Sequence, residues 1–174
     1  MSILKVNSII PVAGVPTGGG GGIVQIKQGT LTSKFTTTSN TPVDSGLSVS
    51  ITPTLNSSKI LIHVSLGSLA NSSAKRRAFM TLVRDSTNVI VGDAATGSEV
   101  TAAVCPRSDD DNHTQIPLSF MVIDSPATTS ATTYKVQISR GTDASGTVAL
   151  NDSSDGDSSS GNTASTIIVM EVTT

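Results

Sequence analysis

The chain has 174 residues and a formal net charge of −2, so it lacks the basic surplus that is typical of nucleic-acid-binding proteins. Its length fits one domain with a tail or arm, and no apolar run approaches the roughly 20 residues of a transmembrane helix. The single cysteine, Cys105, excludes an intrachain disulfide framework. The composition therefore predicts neither a nucleic-acid partner nor a membrane partner.

The composition also indicates the secondary structure. Apolar residues make up 36% of the chain, but aromatic residues make up only 2%, so the core must be aliphatic. Serine and threonine together exceed a quarter of the residues. Short polar side chains in a sequence with few charges are typical of strands whose exposed faces are polar.

Residues 1–22 differ from the rest of the chain and predict an extended N-terminal arm. Pro11 and Pro16 limit any regular structure there, and the glycines that follow favour a flexible hinge. The alternative is a disordered tail. The predicted hinge consists of Gly18, Gly19, Gly20, Gly21 and Gly22. The predicted partner-binding residues of the arm are Ile3, Leu4, Val6, Ile9, Ile10 and Val12.

Residues 23–174 show alternation of apolar and polar side chains, which predicts half-buried antiparallel strands. No segment has the spacing of an amphipathic helix. We therefore expect one all-β domain, an antiparallel β-sandwich of jelly-roll-like type. The alternating segments are Val24–Ile26, Leu47–Ile51, Ile60–Leu66, Phe79–Val83, Val89–Val91, Leu118–Val122, Tyr134–Ile138, Val148–Leu150 and Ile168–Val172.

The sequence offers little support for catalysis or for a cofactor. His63 and His113 are the only histidines, and no motif places a nucleophile beside either of them. Gly18–Gly22 lacks the strand and helix that flank a phosphate-binding loop. The acidic loops, with Asp109–Asp111 and Asp152, Asp155 and Asp157, could offer oxygens to calcium, but they lack the usual glutamate and are expected to be solvated. The basic cluster Lys75–Arg77 is expected to be a solvated strand entry or a charged rim at a subunit contact.

Several segments resemble structural proteins of bacteriophage virions. The opening Ser2–Ile9 is similar to the first residues of many such proteins, including those of cyanophages. The remaining segments resemble a β-domain that recurs in tail fibres and in capsid decoration proteins. They are Gly46–Pro53, Ser58–Ile62, Asp124–Pro126, Ala131–Gln137 and Ser165–Val172. The resemblance implies a virion component that is commonly a homotrimer, and it assigns no catalytic residue.

The chain is too short to add a fibre shaft or a receptor-binding tip to its one domain. We therefore expect a capsid decoration (cement) protein that binds other virion subunits and is assembled in the cytoplasm of the host bacterium. A tail-fibre or other tail-appendage protein is the alternative. A carbohydrate-binding module is a third possibility, although the sequence has few aromatic residues to stack on sugar rings.

Overall fold

The computed structural model describes residues 22–93, 100–108, 115–141, 145–152 and 161–173, and these residues form ten strands. None of the described segments is a helix that is long and apolar enough to cross a membrane. The strands are β1 (Ile23–Leu31), β2 (Phe35–Thr37), β3 (Val43–Ile51), β4 (Lys59–Asn71), β5 (Ala78–Arg84), β6 (Thr87–Ile90), β7 (Ile116–Asp124), β8 (Thr132–Arg140), β9 (Val148–Leu150) and β10 (Ser165–Val172).

The strands form two antiparallel sheets, which confirms the predicted all-β sandwich. In sheet A, the order is β1-β10-β4-β9-β2, and β7 pairs with β4. In sheet B, the order is β3-β8-β5-β6. The jelly-roll-like character of the sandwich stays a prediction.

The core lies between the two sheets and is mainly aliphatic, as the composition predicts. On β4, Ile60, Ile62, Val64 and Leu66 are buried, whereas the residues between them are partly exposed. The same alternation holds on β3 and on the first part of β8. Tyr134 is the one fully buried aromatic side chain among the described residues.

The strand β10 was predicted correctly, but the predicted apolar stripe does not face the core. Ile167 and Val169 are buried in the core, so Ile168, Met170 and Val172 lie on the opposite face of sheet A. The alternating pattern does not indicate which face of β10 is buried, because both faces carry apolar side chains. This arrangement leaves apolar side chains on the outside of the sandwich.

The two sheets approach each other closely where β1 meets β3. Gly29 pairs with the buried Ile167, and a Cβ atom at Gly29 would overlap the carbonyl group of Ser48. Glycine is therefore required at this position by the close approach of two backbones.

A buried carboxylate joins β10 to the turn between β3 and β4. Glu171 accepts four hydrogen bonds: one from the Gln25 side chain, one from Ser58 Oγ, and two from Thr54, through its backbone N–H and Oγ1, at 2.6–2.7 Å. Burial by itself would raise the pKa of Glu171, but these hydrogen bonds outweigh it and hold the pKa below the ordinary value. The ionised form of Glu171 therefore stabilises the fold.

We expect the substitution Glu171→Gln to lower the free energy of unfolding at pH 7 by roughly 1–3 kcal/mol, because an amide group cannot accept all four hydrogen bonds. Since the pKa of Glu171 is lowered in the fold, its contribution is present above the unfolded pKa of about 4.3 and disappears as the pH falls. The difference between the two proteins should therefore shrink in acid. Urea unfolding followed by circular dichroism at neutral and acidic pH measures it, and a pH-independent difference would contradict this assignment.

A second polar cluster connects the two sheets at the end of β7. Arg84 Nη1 donates to both carboxylate oxygens of Asp124, at 2.8 and 2.6 Å. The Tyr134 hydroxyl donates to the same carboxylate at 2.7 Å. Burial and this hydrogen bond raise the pKa of Tyr134. The cluster fixes the last residue of β7 to sheet B.

Tyr134 is the only tyrosine and the chain has no tryptophan, so tyrosine absorbance reports on this site alone. We expect Tyr134 to stay protonated in the folded protein at about pH 11, above the ordinary tyrosine pKa of about 10. Because its pKa is raised in the fold, stability should fall as the pH rises above 10. Tyrosinate absorbance should appear only when circular dichroism reports unfolding; ionisation in the folded protein would contradict the burial of this hydroxyl.

The predicted arm lies mostly outside the described residues, as do Ile3, Leu4, Val6, Ile9, Ile10, Val12 and the hinge residues Gly18–Gly21. Gly22, the last residue of the predicted hinge, is described, and its carbonyl oxygen accepts a hydrogen bond from the Thr173 backbone at 3.1 Å. The ladder between β1 and β10 thus extends as far as Gly22.

Candidate partner-binding surface

The outer face of sheet A presents its side chains in rows that cross the strands, because directly paired residues point to the same face. One row crosses β1, β10, β4 and β7 and is entirely apolar. The next row has a polar residue on β1 and a histidine on β4, and the row after it carries only hydroxyl groups. The rows are Ile26–Met170–Leu61–Ile123, then Gln28–Ile168–His63–Met121, then Thr30–Thr166–Ser65–Ser119. A shorter row, Ile23–Val172–Lys59, lies on the other side of the apolar row.

The apolar residues of these rows are uncovered. Ile26 is 57% exposed, Met121 is 65% exposed and Ile123 is 64% exposed. The side chains on the central strands are partly exposed because strands flank them on both sides. We call this surface the apolar face, and it consists of Ile23, Ile26, Leu61, Met121, Ile123, Ile168, Met170 and Val172.

The apolar face carries little charge. The four rows contain no aspartate or glutamate, and their only ionisable side chains are those of Lys59 and His63. Lys59 lies at the border of the face, where its Nζ donates to Ser125 Oγ at 2.8 Å. Contiguous apolar surface of this kind is typical of protein–protein contacts.

Strand β7 adds a free edge to this surface. Among the residues that the structure describes, β7 pairs with β4 alone, and no strand covers its other edge. Edge strands usually carry charged side chains that discourage pairing with other chains. In β7 the only charged residue is Asp124, which is engaged by Arg84 and Tyr134. Pro117, near the start of β7, has no backbone N–H to offer a further strand, so in the described structure the edge is open to the addition of a strand only from Leu118 onward.

Beside the apolar face, His63 and Ser119 form a hydrogen bond between β4 and β7. Their Nε2 and Oγ atoms are 2.8 Å apart. A serine nucleophile also requires a group that orients the histidine and donors that stabilise an oxyanion. The described rows around this pair supply no carboxylate for the first role. Among the residues of these rows, the pair therefore has no carboxylate partner that would orient His63.

The other residues that the sequence singles out lie apart from the apolar face. Cys105 is exposed, in the segment that bridges the edge of β5 through Val104. In the basic cluster, the carbonyl group of Lys75 accepts a hydrogen bond from Arg107 Nε at 3.1 Å, and Arg77 bridges Arg107 through the backbone.

The acidic loops are described only in part. Asp152 is buried, and its carboxylate lies 3.3 Å from Lys34 Nζ, so this residue is not the solvated group that was expected. Its neighbours explain the difference, because the buried Asn151 anchors the start of this loop with hydrogen bonds to Leu31 and Ser33. Asp109–Asp111, His113, Asp155 and Asp157 lie outside the described residues. Within the described part of the chain, no three histidine, cysteine or acidic residues are grouped as metal ligands.

A scan against models of known protein families finds no match to this chain, and a search of curated proteins finds no related sequence.

The apolar face was not foreseen from the sequence, although a signal for it was present. In the middle of β7 and of β10, both sets of alternate residues are mainly apolar, which is typical of strands that are covered on both faces. A strand of this kind in a half-buried sheet indicates a contact on the outer side. What the sequence could not supply was the strand order that places Met170 beside Leu61 and Ile123 in one row.

Proposed function

We propose that this chain is a non-enzymatic structural protein of a bacteriophage virion, a capsid decoration protein that binds the capsid lattice as an oligomer. The observation that carries the binding role is the apolar face beside the edge of β7, which no described strand covers. Both are features of a protein whose surface is completed by other subunits. The assignment to a phage rests on the sequence resemblance of Ser2–Ile9 and of the strand segments.

The size of the domain favours decoration over the alternative, a tail fibre. The strands form one sandwich between Ile23 and Val172, and the described residues contain no repeated shaft. A single small domain suits a protein that reinforces a lattice from outside. The tail-appendage alternative would require a shaft, which the described residues do not contain.

A carbohydrate-binding module receives less support from the surface. Such modules stack sugar rings on exposed aromatic side chains. All four aromatic residues of this chain are described, and none is exposed: Phe79 and Tyr134 are buried, and Phe35 and Phe120 are partly buried.

Co-sedimentation with purified capsids and purified tails of the same phage tests the proposal. We expect saturable binding to capsids, at a fixed number of copies per lattice unit. Binding to tails alone would favour the appendage alternative, and binding to neither would contradict a virion role. Hydrolysis of esters, glycans or peptides that is lost on His63→Ala substitution would contradict the non-enzymatic assignment and give the His63–Ser119 pair a catalytic role.

A further inference from the structure

The apolar face lies on the outer surface of the sandwich, and no described element of the chain packs over it. We propose that a second copy of this chain covers it, so that copies associate through the outer faces of their A sheets. This inference rests on the proposed function, which requires an oligomer, and it identifies the surface that joins the copies.

The charge of the face indicates the chemistry of its partner. Its central row contains four apolar side chains and no charge, and the rows on either side contain only Lys59 and His63 as ionisable groups. A strongly charged partner would lose hydration there without gaining an opposite charge. The partner must therefore present an apolar surface with few charges, and the same face of a second copy meets this requirement.

The shape of the face also suits self-association. The central row runs across all four strands, so it crosses the sheet from the β1 edge to the β7 edge without a polar interruption. When two copies meet face to face, apolar side chains oppose apolar side chains across the whole row. The flexible side chains of Met121 and Met170 can fill the gaps between the branched side chains of Ile26, Leu61 and Ile123.

The area is close to what a stable contact needs. With strands about 4.8 Å apart and about 6.8 Å between rows, the three rows that hold apolar residues cover roughly 400 Å² of the sheet. Two such faces together approach the lower limit of about 1,000 Å² for a specific interface. The row of hydroxyl groups and the free edge of β7 would extend the contact beyond this limit.

The double substitution Met121→Glu and Ile123→Glu tests the inference. Both side chains are mostly exposed, so the sandwich should fold normally, and circular dichroism checks that it does. The matched control is Ser48→Glu with Ser50→Glu, which places two charges at exposed positions of β3 in the other sheet. Sedimentation velocity at protein concentrations of about 1 to 100 μM, which span dissociation constants in the micromolar range, measures the mass of each protein.

We expect the wild-type protein and the Ser48/Ser50 control to sediment as the same oligomer. The Met121/Ile123 variant should sediment as a monomer, with association weakened about 100-fold or more because two unpaired charges would be buried in the contact. A wild-type monomer at the highest concentration, or a Met121/Ile123 variant that associates as the wild type does, would overturn the inference. A monomer that associates only after residues 1–17 are removed would also overturn it, by assigning the face to the arm of the same chain.

The capsid co-sedimentation assay separates this inference from the proposed function. A protein that associates through the apolar face but binds neither capsids nor tails would support the self-contact and contradict the virion role. A Met121/Ile123 variant that still binds capsids as a monomer would support both the virion role and the assignment of this face to contacts between copies.

Discussion

Deleting residues 1–17 should leave a folded β-sandwich that no longer attaches to the capsid. The deletion ends before Gly22, the first described residue, whose carbonyl group bonds to Thr173 beside the ladder between β1 and β10, so it removes no described strand. Circular dichroism and thermal unfolding should therefore match those of the full chain. The amount of protein that co-sediments with capsids should fall to background.

The physical reason lies in the composition of the arm. Burying each apolar side chain contributes at most about 1.5–3 kcal/mol, and ordering the backbone costs about 1–2 kcal/mol per residue. The free energy of burial thus exceeds the cost of ordering the arm only if the backbone of the arm also forms hydrogen bonds. The simplest way is for the arm to add a strand to the sheet edge of another subunit. We expect this edge to belong to the partner in the virion.

Two full-length variants distinguish the effect of the apolar side chains on attachment from the effect of the length of the arm. Serine at Ile3, Leu4, Val6, Ile9 and Ile10 should abolish attachment, whereas serine at Lys5 and Asn7 should preserve it. Normal attachment of the truncated protein would show that the arm is dispensable. The binding surface would then have to lie on the sandwich itself.

The substitution Gly29→Ala should lower the free energy of unfolding by about 2–4 kcal/mol, the largest effect that we expect of one methyl group in this protein. The new Cβ atom would overlap the carbonyl group of Ser48, which is backbone and cannot rotate away. This overlap could be removed only if β1 and β3 moved apart. Such a movement would loosen the packing of Ile167, which pairs with Gly29.

Gly92→Ala is the matched control for this substitution. The nearest atom to a Cβ at Gly92 is the Ala102 carbonyl oxygen at 3.6 Å, an ordinary contact, so we expect a change within about 0.5 kcal/mol. Urea unfolding followed by circular dichroism compares the two variants. Equal stabilities would show that β1 and β3 can move apart without loss.

The strands themselves were largely predictable from alternation, whereas their arrangement was not. All nine predicted alternating segments overlap strands of the structure. The strand β2, Phe35–Thr37, was missed because three residues are too few to show a period. On β5, the alternating residues noted in the sequence were Phe79, Thr81 and Val83. In the structure, the residues of β5 that belong to the core cluster are Ala78, Met80 and Leu82.

The polar interior was the least predictable part of the fold. Glu171 is the second-last residue of β10, and the sequence gives no sign of its burial, because its hydrogen-bond donors come from residues more than a hundred positions away. His63 was expected on the polar face of its strand, and it does point away from the core, but its neighbours on the outer face of sheet A include the apolar Ile168 and Met121. Its contact with Ser119 depends on the pairing of β4 with β7, which no local pattern reveals.

The position of β10 has a consequence for the timing of folding during synthesis. This strand is the last of the ten in the sequence, yet it lies between β1 and β4 and pairs with both. A growing chain that has not reached Val172 therefore lacks the strand that unites β1 with the rest of sheet A. Ile168 and Met170 also belong to β10, so the apolar face is incomplete until then. Because β10 must pair with strands that were synthesised much earlier, we expect the completion of sheet A to be a slow step of folding.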